Sequence, residues 1–368
     1  MKVCHITTVH KATDERIYYK ECKSLQHHGY DVSLIAPGIA PADKEKIIFF
    51  DAGTYSNRLQ RIVAGGRKVF SHAKKSGADL FHFHDPELML VAVLLRLSGK
   101  KVIYDVHEDL PRQLLYKNWI RCKLIRILSS WIVCLTEKIF VLFFNGIVAA
   151  TDDISRKFPA KKTITLKNFP SSKLISDSVH VEFNKRTFTI IYAGGLSKIR
   201  GIKEVIQALH IMEGKVELIL LGEFDDEGYK RSCMDDEGWK YVHYFGWRPI
   251  REVYGYMKLA DAGLVTLYPA KNFLKSLPVK AFEYMAFKLP LVISGFEYWK
   301  EIFGSCSVFV DPQDPDSIAN NVEKLISNNE LKNKLGEEGF RLVSLKYSWE
   351  KEQNKLFSLY DQLLNHGN

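Results

Sequence analysis

The 368-residue chain has six cysteines, Cys4, Cys22, Cys122, Cys134, Cys233 and Cys306, and no two of them form a C-x-x-C pair. A zinc ribbon or a disulfide framework is therefore not expected, and a reducing compartment is the simple inference. Low-complexity tracts and fixed-period repeats are also lacking, which removes solenoids and propellers. The opening residues, MKVCHITTVH, have no apolar core of the kind a signal peptide needs, so export is not expected. No RNA- or DNA-binding signature occurs, which argues against nucleic acid as a partner. No uninterrupted apolar run reaches the ~18–20 residues of a spanning helix. Acidic D-x-D spacing is confined to Asp314-Pro-Asp316, directly before a helical pattern, where it reads as helix capping; no metal site is expected.

What is present suits a soluble two-domain protein. Hydrophobic residues make up 46% and charged residues 26%, and the length fits two domains of about 150–200 residues each. The net charge of +9 is unevenly spread: residues 1–180 hold 28 Lys and Arg against 17 Asp and Glu, and the remainder 24 against 26. The whole excess lies in the first half and points to an anionic partner there, such as a membrane surface or a phosphorylated substrate.

Short apolar runs recur at α/β spacing, each followed by a helical pattern. In the first half they are Val3–Thr7, Val32–Ala36, Leu80–His84, Val102–Val106 and Ile147–Thr151. In the second they are Thr187–Ala193, Val216–Leu221, Val242–Phe245, Gly263–Leu267, Leu291–Ser294 and Ser307–Val310. Two such sets predict an α/β fold of two Rossmann-like, doubly wound parallel sheets, with ligands at the carboxyl ends of the strands, in a cleft between the domains. The polar run from Asn168 to about residue 186 reads as a linker, and a last amphipathic helix opens near Tyr347-Ser-Trp349. Residues 114–144 are strongly apolar and carry Trp119 and Trp131 with Lys117, Arg121, Lys123 and Arg126; Arg126 and Glu137-Lys138 interrupt them. Two readings stand: a helix lying in a lipid headgroup plane, or a buried helix pair with basic outer faces.

Chemistry concentrates in a few places. In Tyr192-Ala-Gly194-Gly195-Leu-Ser-Lys198-Ile-Arg200-Gly201 a strand runs into glycines, basic residues and a helix start, which suits a diphosphate. Ser276-Leu277-Pro278-Val-Lys280-Ala-Phe-Glu283-Tyr-Met then opens a helix that presents Glu283. With Asp14-Glu-Arg16-Ile-Tyr, His82-Phe-His84-Asp85-Pro, Tyr104-Asp105-Val-His107-Glu108 and Tyr347-Ser-Trp349-Glu, the pattern resembles the family-4 glycosyltransferases of bacterial surface-polysaccharide synthesis, over nearly the whole chain.

That resemblance implies the two-Rossmann GT-B fold: residues 1–170 an acceptor-binding domain, 171–346 a nucleotide-sugar-binding domain, and 347–368 a helix crossing back to the first. It implies that Glu283 holds ribose hydroxyls, that Arg200 meets the diphosphate, that the loop Gly246-Trp247-Arg248 reads the nucleobase, with Trp247 or the backbone flanking the ring, and that His107 faces the donor sugar. The first glutamate of the family's E-x7-E motif falls at Lys275, and the arginine usual after the first glycine is replaced by Gly195; Lys280, one turn before Glu283, is the best-placed compensation. His107, Arg200 and Lys280 are thus the catalytic candidates. Gly194, Gly195, Arg200, Trp247, Arg248, Leu277, Pro278, Lys280 and Glu283 are the donor-side residues. Asp14, Arg16, His84, Asp85 and Glu108 are the acceptor-side ones. His82 and His84 are expected on opposite sides of a strand end, and His84, next to Asp85, is the one chosen to face the ligand. The implied reaction is transfer of a sugar from an NDP-sugar to a lipid-linked or oligosaccharide acceptor, retaining and without metal or other cofactor, at the cytoplasmic face of an anionic membrane. The competing reading is a catalytically silent GT-B protein that binds a nucleotide-sugar or stabilises a partner; Lys275 and Gly195 motivate it.

Overall fold

The computed structural model describes residues 1–42, 46–116, 122–270, 273–274 and 276–365. Lys117, Trp119, Arg121 and Lys275 lie outside the described residues. The chain divides into two units: residues 1–168 with 349–368, and residues 169–348.

The first unit is built on a parallel sheet of seven strands among the described residues: β1 (Lys2–Ile6), β2 (Asp31–Ala36), β3 (Ile48–Asp51), β4 (Leu80–Phe83), β5 (Lys101–Val106), β6 (Gly146–Ala149) and β7 (Thr163–Thr165). Their order is β3-β2-β1-β4-β5-β6-β7. The order in which strands are added reverses between β1 and β4, and a doubly wound fold leaves its crevice at such a switch point. All five apolar runs of the first half are strands. The two that sequence reading missed, β3 and β7, are the sheet edges; half-exposed IFFD and TIT carry too little apolar signal to stand out.

Strand parity explains how the first sheet is covered. Cys4, Ile6, Phe81, Phe83, Val102 and Tyr104 pack on one face with the helix Met89–Leu97. Val3, Leu80 and Ile103 lie on the other, against Leu25, Trp349, Leu356 and Tyr360. The helix Trp349–Asn365 therefore packs back on the first unit. Its Trp349 Nε1 donates to Ser24 Oγ at 2.8 Å and its Asp361 accepts from the Tyr30 hydroxyl.

The second unit carries six parallel strands among the described residues: β8 (Phe188–Ala193), β9 (Val216–Leu221), β10 (Val242–Gly246), β11 (Ala262–Val265), β12 (Leu291–Ser294) and β13 (Ser307–Val310), in the order β10-β9-β8-β11-β12-β13. Its switch point lies between β8 and β11. The polar run after Asn168 is not a free linker. Ser171 caps a helix over Ser172–Ser176, Leu174 is buried, the Val179 N–H bonds the Arg251 carbonyl, and Arg251 Nε bonds the Asp177 carbonyl. Backbone pairing thus fixes a segment whose composition alone suggests freedom. Asp314 caps the helix Pro315–Ser327 by accepting from the Asp316 N–H.

The buried-pair reading of residues 114–144 fails over 123–143. The helix Lys123–Val141 buries only Glu137 and Val141 among its own residues. Leu124 is 72% exposed, Trp131 65% and Leu142 75%, and Ile125, Ile127, Leu128, Ile132, Leu135, Ile139 and Phe143 are exposed with them. Glu137 is the polar residue turned inward, accepting from the Tyr104 hydroxyl at 3.1 Å. No helix among the described residues is long and apolar enough to cross a membrane.

Candidate active site

In the second unit the glycine turn after β8 meets the helix Val279–Ala286. Gly194 has φ +139°, and a Cβ there would sit 2.8 Å from Lys280 Nζ. Only glycine lets the turn and the lysine come this close. Lys280 Nζ stands 3.7 Å above the centre of the Tyr192 ring. The residue's stem is half-exposed, but Nζ is enclosed and has no hydrogen-bond partner among the described residues. Burial pushes this ammonium below the usual lysine range; Tyr192 and Glu283 act in the opposite sense, and Arg200 adds repulsion. Arg200 lies alongside: its Nη1 donates to the Tyr192 hydroxyl at 3.4 Å, and that hydroxyl donates to the Gly195 carbonyl at 3.1 Å. Two cations and an open glycine backbone therefore converge where one strong anion would satisfy both.

Glu283 lies one turn after Lys280, is buried, and accepts at Oε1 from the Tyr254 hydroxyl at 2.9 Å. Leu277 and Pro278, at the start of this helix, are half-buried. Trp247 and Arg248 are on the loop after β10; Trp247 is exposed, and Arg248 donates to its carbonyl and pairs with Glu252. Sequence reading found the cations and the carboxylate of this site. It missed Tyr192 and Tyr254, because an aromatic inside an apolar strand or helix reads simply as core.

In the first unit, strand parity gathers a second constellation. His5 of β1 pairs in register with His82 of β4. His5, His82, His84, Asp105 and His107 continue the face that carries Val3, Leu80 and Ile103, so the sheet turns from apolar to polar toward its carboxyl edge. His82 and His84 are two residues apart and therefore share a side, which corrects the expectation that only one of them faces the site. Their rings stack with centroids 4.8 Å apart, and both are buried. His84 does not present itself to a ligand.

Arg16, expected on the acceptor side, is buried. Its guanidinium bonds both Asp105 oxygens and the Leu166 carbonyl, and its Nε is ion-paired with Glu21 Oε1 at 2.9 Å. Burial would raise Asp105, but Arg16, His107 and His84 hold its carboxyl well below the usual range. Glu21 goes the other way, raised by burial and by the charge of Asp105. Glu21, His82, His84 and Asp105 bring ligand-type atoms within 4.8 Å of one another. Arg16 already supplies the positive charge between the two carboxylates, so a cation there would displace it or add to it.

Asp85 is also occupied. One of its oxygens accepts from the Thr7 hydroxyl and from the N–H groups of Thr8 and Val9, pinning the loop after β1. Asp14 caps the helical turn Glu15–Cys22 and bonds His10. Burial opposes its ionisation, yet the His10 bond and the Ile17 N–H bring the carboxyl down to about 2. His107 is partly exposed, with Nε2 3.2 Å from Asp105 Oδ2 and its ring beside His10. Glu108 is exposed and accepts from Gln113. Of the predicted acceptor-side residues, Arg16, His84 and Asp85 hold structure, whereas Asp14 and Glu108 remain accessible. His10, in contact with Asp14 and His107, was missed for want of any local motif.

Comparison with known proteins supplies the class of chemistry. Residues 15–142 match the family model Glycosyltransferase Family 4, and residues 176–342 match Glycosyl transferases group 1. CapM of Staphylococcus aureus, a capsular polysaccharide biosynthesis glycosyltransferase, is 22% identical over 391 residues, which cover 99% of this chain and 97% of CapM. Among solved structures, the sucrose-phosphate synthase of Thermosynechococcus elongatus superposes with a TM-score of 0.74 at 16% identity, covering all of both chains. Anabaena HepE, solved in complex with UDP-glucose, does so with a TM-score of 0.69 at 14% identity, covering 99% of each.

Proposed function

Because this chain belongs to the glycosyltransferases, with a family 4 domain followed by a group 1 domain in a GT-B fold, we propose that it moves a sugar from an NDP-sugar to a saccharide acceptor in surface-polysaccharide synthesis. The observation that carries this reading is Lys280: an enclosed ammonium with no hydrogen-bond partner among the described residues, beside Arg200 and the open turn at Gly194 and Gly195. A diphosphate supplies what these groups lack, and Glu283 below them can accept from the vicinal hydroxyls of a ribose. CapM's role in capsule synthesis and the UDP-glucose bound to HepE support the substrate class.

The reaction proceeds with retention, by front-face displacement. The bond from the anomeric carbon to the diphosphate breaks, the acceptor oxygen bonds the same face, and the acceptor's proton passes to the departing diphosphate. Arg200 and Lys280 stabilise the charge that develops there, so no metal is required of the leaving-group site. The acceptor is lipid-linked and reaches the first unit at the cytoplasmic side of a membrane. The exposed apolar helix Lys123–Val141, with Lys123, Arg126 and Lys138 along it, supports attachment in the headgroup layer.

The test is a panel of UDP-, GDP- and dTDP-sugars, read by thermal shift and by slow nucleotide release in EDTA. One nucleotide class should stabilise the protein and be turned over with chelator present. Lys280→Met should weaken that binding by about tenfold or more, ~1.4 kcal/mol. Binding without release from any donor would favour the silent reading, and no binding at all would sink the donor site.

A further inference from the structure

The buried histidines of the first unit close around one carboxylate. Glu21, on the helical turn Glu15–Cys22, is wholly buried, and neither of its oxygens has a hydrogen-bond partner among the described residues. Oε1 is ion-paired with Arg16, whereas Oε2 lies 3.6 Å from His5 Nδ1 and 3.9 Å from His84 Nε2. Those two nitrogens are hydrogen-bonded to each other at 3.0 Å. One shared hydrogen satisfies the nitrogens but leaves Oε2 unanswered, and a buried carboxylate oxygen without a partner is costly. The three atoms form a small triangle, and the point equidistant from them lies about 2 Å from each, the length of a zinc–nitrogen or zinc–oxygen bond.

The far side of each ring is already held. His5 Nε2 is hydrogen-bonded to the Tyr360 hydroxyl at 3.1 Å, and His84 Nδ1 to His107 Nε2 at 3.2 Å. A metal-bound imidazole takes such a partner for its second nitrogen, which fixes the ring. His82 brings a further nitrogen. Its Nδ1 is bonded to the same Tyr360 hydroxyl at 2.8 Å, while Nε2 is buried with no hydrogen-bond partner among the described residues. Glu21, His82 and His84 have ligand-type atoms within 4.8 Å of one another. Asp105 belongs to the same group of atoms, but both its oxygens bond Arg16.

We propose that the first unit holds one zinc ion, bound by His5 Nδ1, His84 Nε2 and Glu21 Oε2, with His82 Nε2 as the fourth ligand. Arg16 meets Glu21 at the other oxygen, so the ion adds to the guanidinium and does not displace it. Two carboxylates, Glu21 and Asp105, stand against one guanidinium here, and the ion offsets the excess negative charge. Four protein ligands leave no open position, which makes the role structural. The ion ties β1, β4 and the turn Glu15–Cys22 together, and through Tyr360 it anchors the C-terminal helix. This departs from the expectation of a protein without metal, which rested on acidic D-x-D spacing; these ligands come from three separate segments that only the parallel register assembles.

The experiment is metal analysis of the full-length protein, purified without a histidine tag and treated with EDTA at neutral pH to remove loosely held ions. About one zinc per chain should remain, because the site is enclosed. Stripping in chelator with denaturant, followed by refolding, should give a protein of lower melting temperature that zinc restores. Refolded with Co²⁺, it should show the intense visible absorption of four-coordinate cobalt. Glu21→Gln should lower the bound zinc roughly tenfold or more, whereas His210→Ala, in the second unit, should retain it. No zinc in the purified protein and none taken up on refolding overturns the proposal. So does a six-coordinate cobalt spectrum, or zinc that persists undiminished in Glu21→Gln. Should that variant fail to fold, zinc-edge X-ray absorption of the wild type decides: a shell of imidazole and carboxylate supports the site, and sulfur neighbours or a shell of water refute it. Metal content is read independently of turnover, so a zinc-loaded protein that transfers no sugar would count against the proposed function alone.

Discussion

At the scale of single residues, Glu283 gives the sharpest test of the donor site. Glu283→Gln keeps shape and retains an oxygen to accept from Tyr254, so packing should persist. What is lost is charge, and charge-assisted hydrogen bonds are about twice as strong as neutral ones. Affinity for the preferred nucleotide should fall about tenfold or more, ~1.4 kcal/mol, measured by calorimetric titration. Unchanged affinity in a folded variant would remove Glu283 from the site. Residues of this kind were legible in sequence because a charge inside Phe282-Glu283-Tyr284-Met285 demands a reason. The partners were not: Tyr192 and Tyr254 act through hydroxyls at the tips of rings that otherwise look like core, and Arg16 carries the same charge buried or exposed. The histidines were half legible. Period-two counting places His5, His82, His84, Asp105 and His107 on one face, but only once the parallel register of β1, β4 and β5 is known.

At the scale of elements, the apolar runs identified every interior strand, since a strand buried on both faces reads as continuous Val, Ile and Leu. The edges of the second sheet, β10 and β13, were found too, whereas β3 and β7, short and half-exposed, went unseen. The helix Lys123–Val141 marks a different limit. Mostly apolar but carrying Lys123, Arg126 and Lys138, it has the composition of a buried helix and of an interfacial one, and only its exposure separates the two. An exposed run of apolar side chains of this length marks a docking surface. The purified protein should sediment with anionic vesicles at low salt, and much less with zwitterionic ones. Each Lys or Arg near an anionic leaflet contributes about 1 kcal/mol, so Lys123→Glu with Arg126→Glu should weaken binding by roughly thirtyfold or more. Donor binding, proposed for the other unit, should be unaffected. Equal sedimentation with both lipids, or with neither, would refute electrostatic attachment.

At the scale of the molecule, the two units should part company in acid. His5, His82 and His84 are pushed below the ordinary 6.5 chiefly by burial, His84 to about 4. Between those values the unfolded chain binds protons that the folded chain does not, so this part of the stability is fully present above pH 6.5 and is lost as pH falls. Glu21 opposes the trend: burial raises it above 4.5, so the folded chain keeps a proton that the unfolded chain has released. His10, raised by Asp14 against the cost of burial, adds stability that disappears only as pH rises above 6.5. Three imidazoles against one carboxyl leave a net loss of stability as pH falls from roughly 6.5 to 5. The second unit holds His180, His210 and His243, all exposed or half-buried, and has no comparable buried cluster among its described residues. Calorimetry at pH 7.5 and 5.5 should therefore show the transition of the first unit falling by many degrees while that of the second moves little. Proteolysis at pH 5.5, just above the lower transition, should release fragments from residues 1–168 and spare 169–348. Transitions that fall in parallel would mean that the imidazoles are not buried neutral.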